Sequence, residues 1–108
     1  YVNPDDTLAT AFNRMNNSDI SQLPVLKEEK LIGMITETDI LNHCRNQKGF
    51  EKSVSECMQK NYKSLEINSS LDDLIELLKE NNIAIILNKE KFVGIITKID
   101  LLAYLKRN

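Results

Sequence analysis

The chain is poor in the residues that most often carry chemistry. Its 108 residues include no tryptophan, one histidine and two cysteines. Cys44 and Cys57 fit neither a CxxC pair nor a metal-ligand spacing, which argues against a disulfide framework or zinc site. Each reads instead as a small buried hydrophobe. His43 has no metal or acid–base partner in the sequence and reads as a boundary residue. No apolar run approaches the roughly 20 residues of a membrane span, and no signal-peptide pattern opens the chain. The net charge of −2 supplies neither a basic field for nucleic acid nor a polybasic membrane patch. There is no nucleophile–base pair, P-loop or cofactor lysine motif, so a self-contained enzyme is the weakest class. An apolar content of 42% with 28% charged residues fits a soluble, cytoplasmic globular domain.

What the chain does have is a phrase that it uses twice. Gly33-Met34-Ile35-Thr36-Glu37-Thr38-Asp39 returns as Gly94-Ile95-Ile96-Thr97-Lys98-Ile99-Asp100, and an internal repeat fixes architecture before any single motif does. Leu8, Ala11, Phe12 and Met15 have the spacing of one buried helical face, and Leu71, Leu74, Ile75 and Leu78 reproduce it. Strands are expected at Gln22 to Leu26 and Leu31 to Thr36, then at Ile83 to Leu87 and Phe92 to Thr97. Polar hairpin tips divide each pair. A leading strand, Tyr62 to Ile67, is visible only ahead of the second copy, as if the first unit began partway into its repeat. The strands align at an offset of 61 residues and the first helices at 63, so the second unit has a shorter helix–strand turn. Residues 1–49 form the first repeat, 50–60 a connecting segment with a short amphipathic turn, and 61–108 the second repeat. Neither half can bury both helices and its strands alone, so the halves are expected to share a core.

The repeated Thr-x-x-Asp has two readings. As local structure it is a helix capping box, worth about 1 kcal/mol at a helix start. As a site, a strand ending in Gly-apolar-apolar-Thr delivers unpaired N–H groups at a helix start. A carboxylate one turn in can accept two hydrogen bonds from the vicinal hydroxyls of a ribose. Gly33 and Gly94 permit a close backbone approach. A duplicated fold duplicates its caps, so both readings stay open.

With Leu23-Pro24-Val25 ahead of the first Gly-apolar-apolar-Thr-x-x-Asp, the chain resembles a pair of CBS domains (a Bateman module) along essentially its whole length. The resemblance implies a mixed α/β (α+β) fold of two pseudo-symmetric β-α-β-β-α repeats packed sheet to sheet. It also implies an adenosine compound, S-adenosylmethionine or AMP, ADP or ATP, bound in a cleft between repeats. Carried onto this sequence, the preferred cleft joins Thr97, Ile99 and Asp100 to Ile20, Ser21 and Gln22, with Ile20 as an apolar wall for adenine. Lys98, if turned inward, favours a phosphate-bearing ligand. The second cleft joins Thr36 and Asp39 to the shortened turn at Asn81, Asn82 and Ile83, where nothing matches Ile20 and Glu37 opposes phosphate. The second repeat, through Thr97-Lys98-Ile99-Asp100-Leu101-Leu102, is similar to the carboxyl-terminal regulatory module of cystathionine β-synthases. That similarity implies an attached catalytic domain, which would hold the pyridoxal phosphate; no cofactor is expected in this chain. The remaining alternative is a homodimerisation module with vestigial clefts and no ligand.

Overall fold

The computed structural model describes residues 1–107 and divides into two compact units, Tyr1–Tyr62 and a second beginning at Lys63. Both run helix, strand, strand, helix. In the first, α1 (Leu8–Ser18) starts where Thr7 Oγ1 accepts the Thr10 N–H at 3.2 Å and stops at Asp19, which takes a left-handed φ of 53°. Its buried face is Leu8, Ala11 and Met15. Phe12, expected on that face, is half exposed and sets its ring edge-on to Phe50, with centroids 6.0 Å apart. Strands β1 (Gln22–Lys27) and β2 (Lys30–Thr36) pair antiparallel, and α2 (Glu37–His43) follows at once. Val2, Leu8, Val25 and Ile35 are fully buried within this unit's core.

The leading strand of the first unit survives as one residue. Val2 makes a parallel bridge to Val25, donating to the Pro24 carbonyl at 3.1 Å and accepting from the Leu26 N–H at 2.9 Å. In the second unit β3 (Ser64–Glu66) pairs parallel with β4 (Ile83–Asn88), Leu65 opposite Ile86. Leu65 is therefore the counterpart of Val2. The strand is shorter than expected because Tyr62 stays with the first unit, its hydroxyl donating to the Leu31 carbonyl at 3.2 Å. Helix α4 (Leu71–Glu80) is capped by Ser70, β5 (Lys91–Thr97) pairs with β4, and α5 (Lys98–Arg107) follows. Leu78, Ala84 and Leu101 form the buried cluster here. Asn108, expected to end the last repeat, lies outside the described residues.

The segment between the repeats folds onto the first unit. A 3₁₀ turn (Gln47–Glu51) leads into the short helix α3 (Val54–Cys57), which buries Val54 and Cys57. Pro24 has no N–H and stands opposite Met34, so the Met34 N–H and carbonyl turn away from β1. Gln59 takes both: Met34 N to Gln59 O is 2.9 Å and Gln59 N to Met34 O is 2.7 Å.

Candidate functional site

Both copies of the motif are capping boxes, so the local reading holds for each. Thr36 Oγ1 accepts the Asp39 N–H at 3.1 Å, while Asp39 Oδ2 accepts from the Thr36 N–H and hydroxyl, each at 2.9 Å. In the second copy Asp100 Oδ2 accepts the Thr97 N–H at 2.9 Å, and Thr97 Oγ1 accepts the Asp100 N–H at 3.2 Å. The strand end fixes the threonine and the helix start fixes the acid three residues on. This is why the phrase recurs intact.

The surroundings of the two acids differ. Asp39 is only 7% exposed, and its second oxygen, Oδ1, accepts from Gln59 Nε2 at 2.9 Å. All of its described bonds are internal. Asp100 is exposed, and its bonds among the described residues go to Thr97 alone. Hydrogen bonds from the Thr97 backbone, then its side chain, hold the Asp100 carboxyl below the ordinary carboxylate range. An ionised, accessible carboxylate at a helix start can accept neutral hydroxyl donors such as a vicinal diol.

Within each unit the structure places the remaining expected residues as follows. Ser21 accepts the Glu37 N–H at 3.0 Å, and Gln22 stands opposite Thr36, so both lie beside the first motif of their own repeat. Ile20 is half exposed and lines a hollow of about 300 Å³ with Phe12, Glu37 and Leu41. Ile83 stands opposite Thr97 in the second unit. Lys98 is exposed in the first turn of α5, as is Ile99, which is 74% exposed. Asp100 borders an open groove of about 600 Å³ floored by Gly94, Ile96 and Leu74. Gln59 was missed by sequence reasoning, although the amphipathic Val54-x-x-Cys57-Met58-Gln59 stretch was the signal that could have found it. Among the described residues no three His, Cys, Asp or Glu side chains cluster to hold a metal ion, and no helix is long and apolar enough to cross a membrane.

The CBS domain family model matches residues 1–46 and 54–107. The chain belongs to the CBS domain family, as two tandem copies. It is 31% identical to the cystathionine beta-synthase of Dictyostelium discoideum over 99% of this chain and 23% of that enzyme. Its fold superposes on a putative acetoin utilization protein (AcuB) from Vibrio cholerae with a TM-score of 0.87 at 23% identity, covering 98% of this chain and 82% of that one. It superposes on CBSX2 in complex with AMP with a TM-score of 0.83 at 20% identity, covering 98% and 86%. The chain spans only 34%, 23% and 20% of the length of three curated relatives that it matches.

Proposed function

We propose that this CBS pair is a regulatory module that binds an adenosine compound through Thr97 and Asp100 and controls a domain joined to it. The observation that carries the reading is the accessible Asp100 carboxylate, already oriented by Thr97. Its two copies of the motif are chemically alike, yet only this one offers a free acceptor face to a ribose. Lys98, exposed beside it, favours AMP, ADP or ATP over S-adenosylmethionine. The AMP complex of a protein with this fold supports the ligand class. The likeness to a cystathionine β-synthase supports an attached catalytic domain of that kind, with pyridoxal phosphate held there. Control follows by linkage: the ligand shifts the equilibrium between two states of the protein by its differential affinity for them.

A thermal-shift and calorimetry panel of S-adenosylmethionine, AMP, ADP and ATP tests this. A ligand at 100 times its dissociation constant stabilises the folded state by about 2.7 kcal/mol. Asp100→Asn is expected to weaken that response more than Asp39→Asn, and Lys98→Ala to weaken it only for the phosphate-bearing compounds. Equal losses from the two aspartate variants would overturn the ranking of Asp100 above Asp39.

A second reading rests on α5, where Ile99 and Leu102, three residues apart on one side of the helix, are 74% and 63% exposed. An apolar helix face of this kind suits a homodimer contact. No response to any adenosine compound, together with a dimer that persists on dilution, would favour this reading over the first.

A further inference from the structure

The first unit carries a hollow that neither Thr36 nor Asp39 lines. It measures about 300 Å³ and opens between α1, α2 and the 3₁₀ turn. Met15 and Ile40 are buried and close it off from the core, while Phe12, Leu41 and Phe50 stand around it. Phe12 and Leu41 are 46% and 74% exposed, so much of this apolar wall meets water. Phe12 and Phe50 meet edge to face at 60°. Only one ring gives up a face in that arrangement, and aromatic face is left for a third group.

Two exposed carboxylates, Asp19 and Glu37, complete the lining, and no Lys, Arg or His takes part in it. Asp19 is placed by the end of α1. Its N–H and that of Ile20 both bond the Met15 carbonyl, and it takes the left-handed φ of 53° that aspartate tolerates. Glu37 is placed by its own N–H, which donates to the Ser21 carbonyl at 3.0 Å and ties the start of α2 to the same turn. Among the described residues neither carboxylate has a hydrogen bond or an ion pair. An aromatic hollow with charge of only one sign around it is complementary to a cation on an apolar body. The second unit does not repeat the arrangement. Asn81 and Asn82 replace the turn 19–21, and Lys98 stands where the first unit has Glu37.

We propose that this hollow is a further ligand site, one that takes a small organic cation. An ammonium or guanidinium head lies between Asp19 and Glu37, and a short apolar body seats against Phe12, Leu41 and Phe50. The volume equals that of about ten water molecules at roughly 30 Å³ each, which sets the ligand near that number of non-hydrogen atoms. Covering the exposed parts of Phe12 and Leu41 supplies the apolar gain. The two unpaired carboxylates set the sign of the charge. They repel a phosphate group, so this site answers to different compounds from those read at Thr97 and Asp100.

An NMR titration of the chain tests this with three six-carbon probes that differ at the head: hexylammonium, 1-hexanol and hexanoate. Hexylammonium is expected to bind at least about fivefold more tightly than hexanol, and hexanoate more weakly still, with shifts centred on Phe12, Leu41 and Phe50. An exposed ion pair is worth at most about fivefold, so Asp19→Asn and Glu37→Gln should each weaken hexylammonium by about two- to fivefold. Both variants should bind hexanol as the wild type does, which also shows that they are folded. Phe12→Leu should weaken hexylammonium and hexanol together. No binding of any probe, or equal binding of hexylammonium and hexanol, would overturn the proposal. So would shifts at Phe12 and Leu41 that grow with protein concentration in the absence of a probe, which would put a second copy there. Tighter binding of acetyl-Leu-Lys-Leu-amide than of hexylammonium would put a partner's side chain in the hollow, against the proposal.

Discussion

At the residue scale the two aspartates separate structural from exchangeable chemistry. Asp39 accepts three bonds from Thr36 and Gln59 in a buried setting. Asn at this position would turn an amide N–H₂ toward one of those donors, and leaving buried donors unmatched costs about 1–3 kcal/mol. Asp39→Asn should therefore lower the chemical-denaturation midpoint clearly, and Asp100→Asn should lower it less. The pH dependence of Asp100 follows from its depressed pKa. The folded state favours the ionised form, so its contribution is complete above the unfolded carboxyl value of about 4 and is lost as pH falls through the folded value. The Tm difference between wild type and Asp100→Asn should hold steady from neutrality to about pH 4 and shrink below it. The Thr-x-x-Asp caps were legible in the sequence because a capping box is local, closed within four residues. The Gln59–Asp39 bond was not, because it joins residues 20 apart through the fold of the connecting segment.

At the element scale the hydrophobic periods and hairpin tips gave the four hairpin strands to within a residue. What they missed has a common cause. Phe12 has helical spacing like Leu8 and Met15, but Phe50 covers it only from the edge. Tyr62 looks β-compatible, but a bond to Leu31 holds it in the first unit. In both cases a tertiary neighbour overrode a local pattern. The tips themselves are unusual in chemistry. Glu28 and Glu29 take φ of 53° and 70°, and Lys89 and Glu90 take 50° and 76°. Such turns match the twist of a hairpin but favour Asn and Gly, since a left-handed conformation costs an ordinary residue about 1–2 kcal/mol. The Lys89 N–H, bonded to Glu66 Oε1 at 3.0 Å, survives a side-chain change. Lys89→Asn is therefore expected to stabilise the chain by about 0.5–1 kcal/mol, read as a Tm rise of a few degrees. A fall in Tm would show that the tip is not strained as its φ angles imply.

At the scale of the whole molecule, the duplication that makes the halves alike in sequence leaves them unlike in cover. Composition and periodicity carry the two-repeat plan, because both copies keep the same apolar rhythm. They carry no sign of which copy is sealed, since that depends on where the chain outside the repeats goes. The first unit closes over Val2, Leu8 and Val25, all 0% exposed, whereas Leu65, Leu71 and Ile86 in the second line an open groove. Buried apolar area is the main stabilising quantity, at roughly 25 cal/mol per Å², so the second unit should open at lower free energy than the first. Native-state hydrogen exchange across a denaturant series would measure this. Amides in β1, β2 and α1 are expected to exchange only with global unfolding. Those in α4 and β5 should exchange through an earlier, sub-global opening roughly 1–3 kcal/mol below it. An adenosine compound bound at Thr97 and Asp100 should narrow that gap by raising protection in α5 and β5 without changing β1. A single opening free energy shared by both units would mean that the exposed groove costs the second unit nothing.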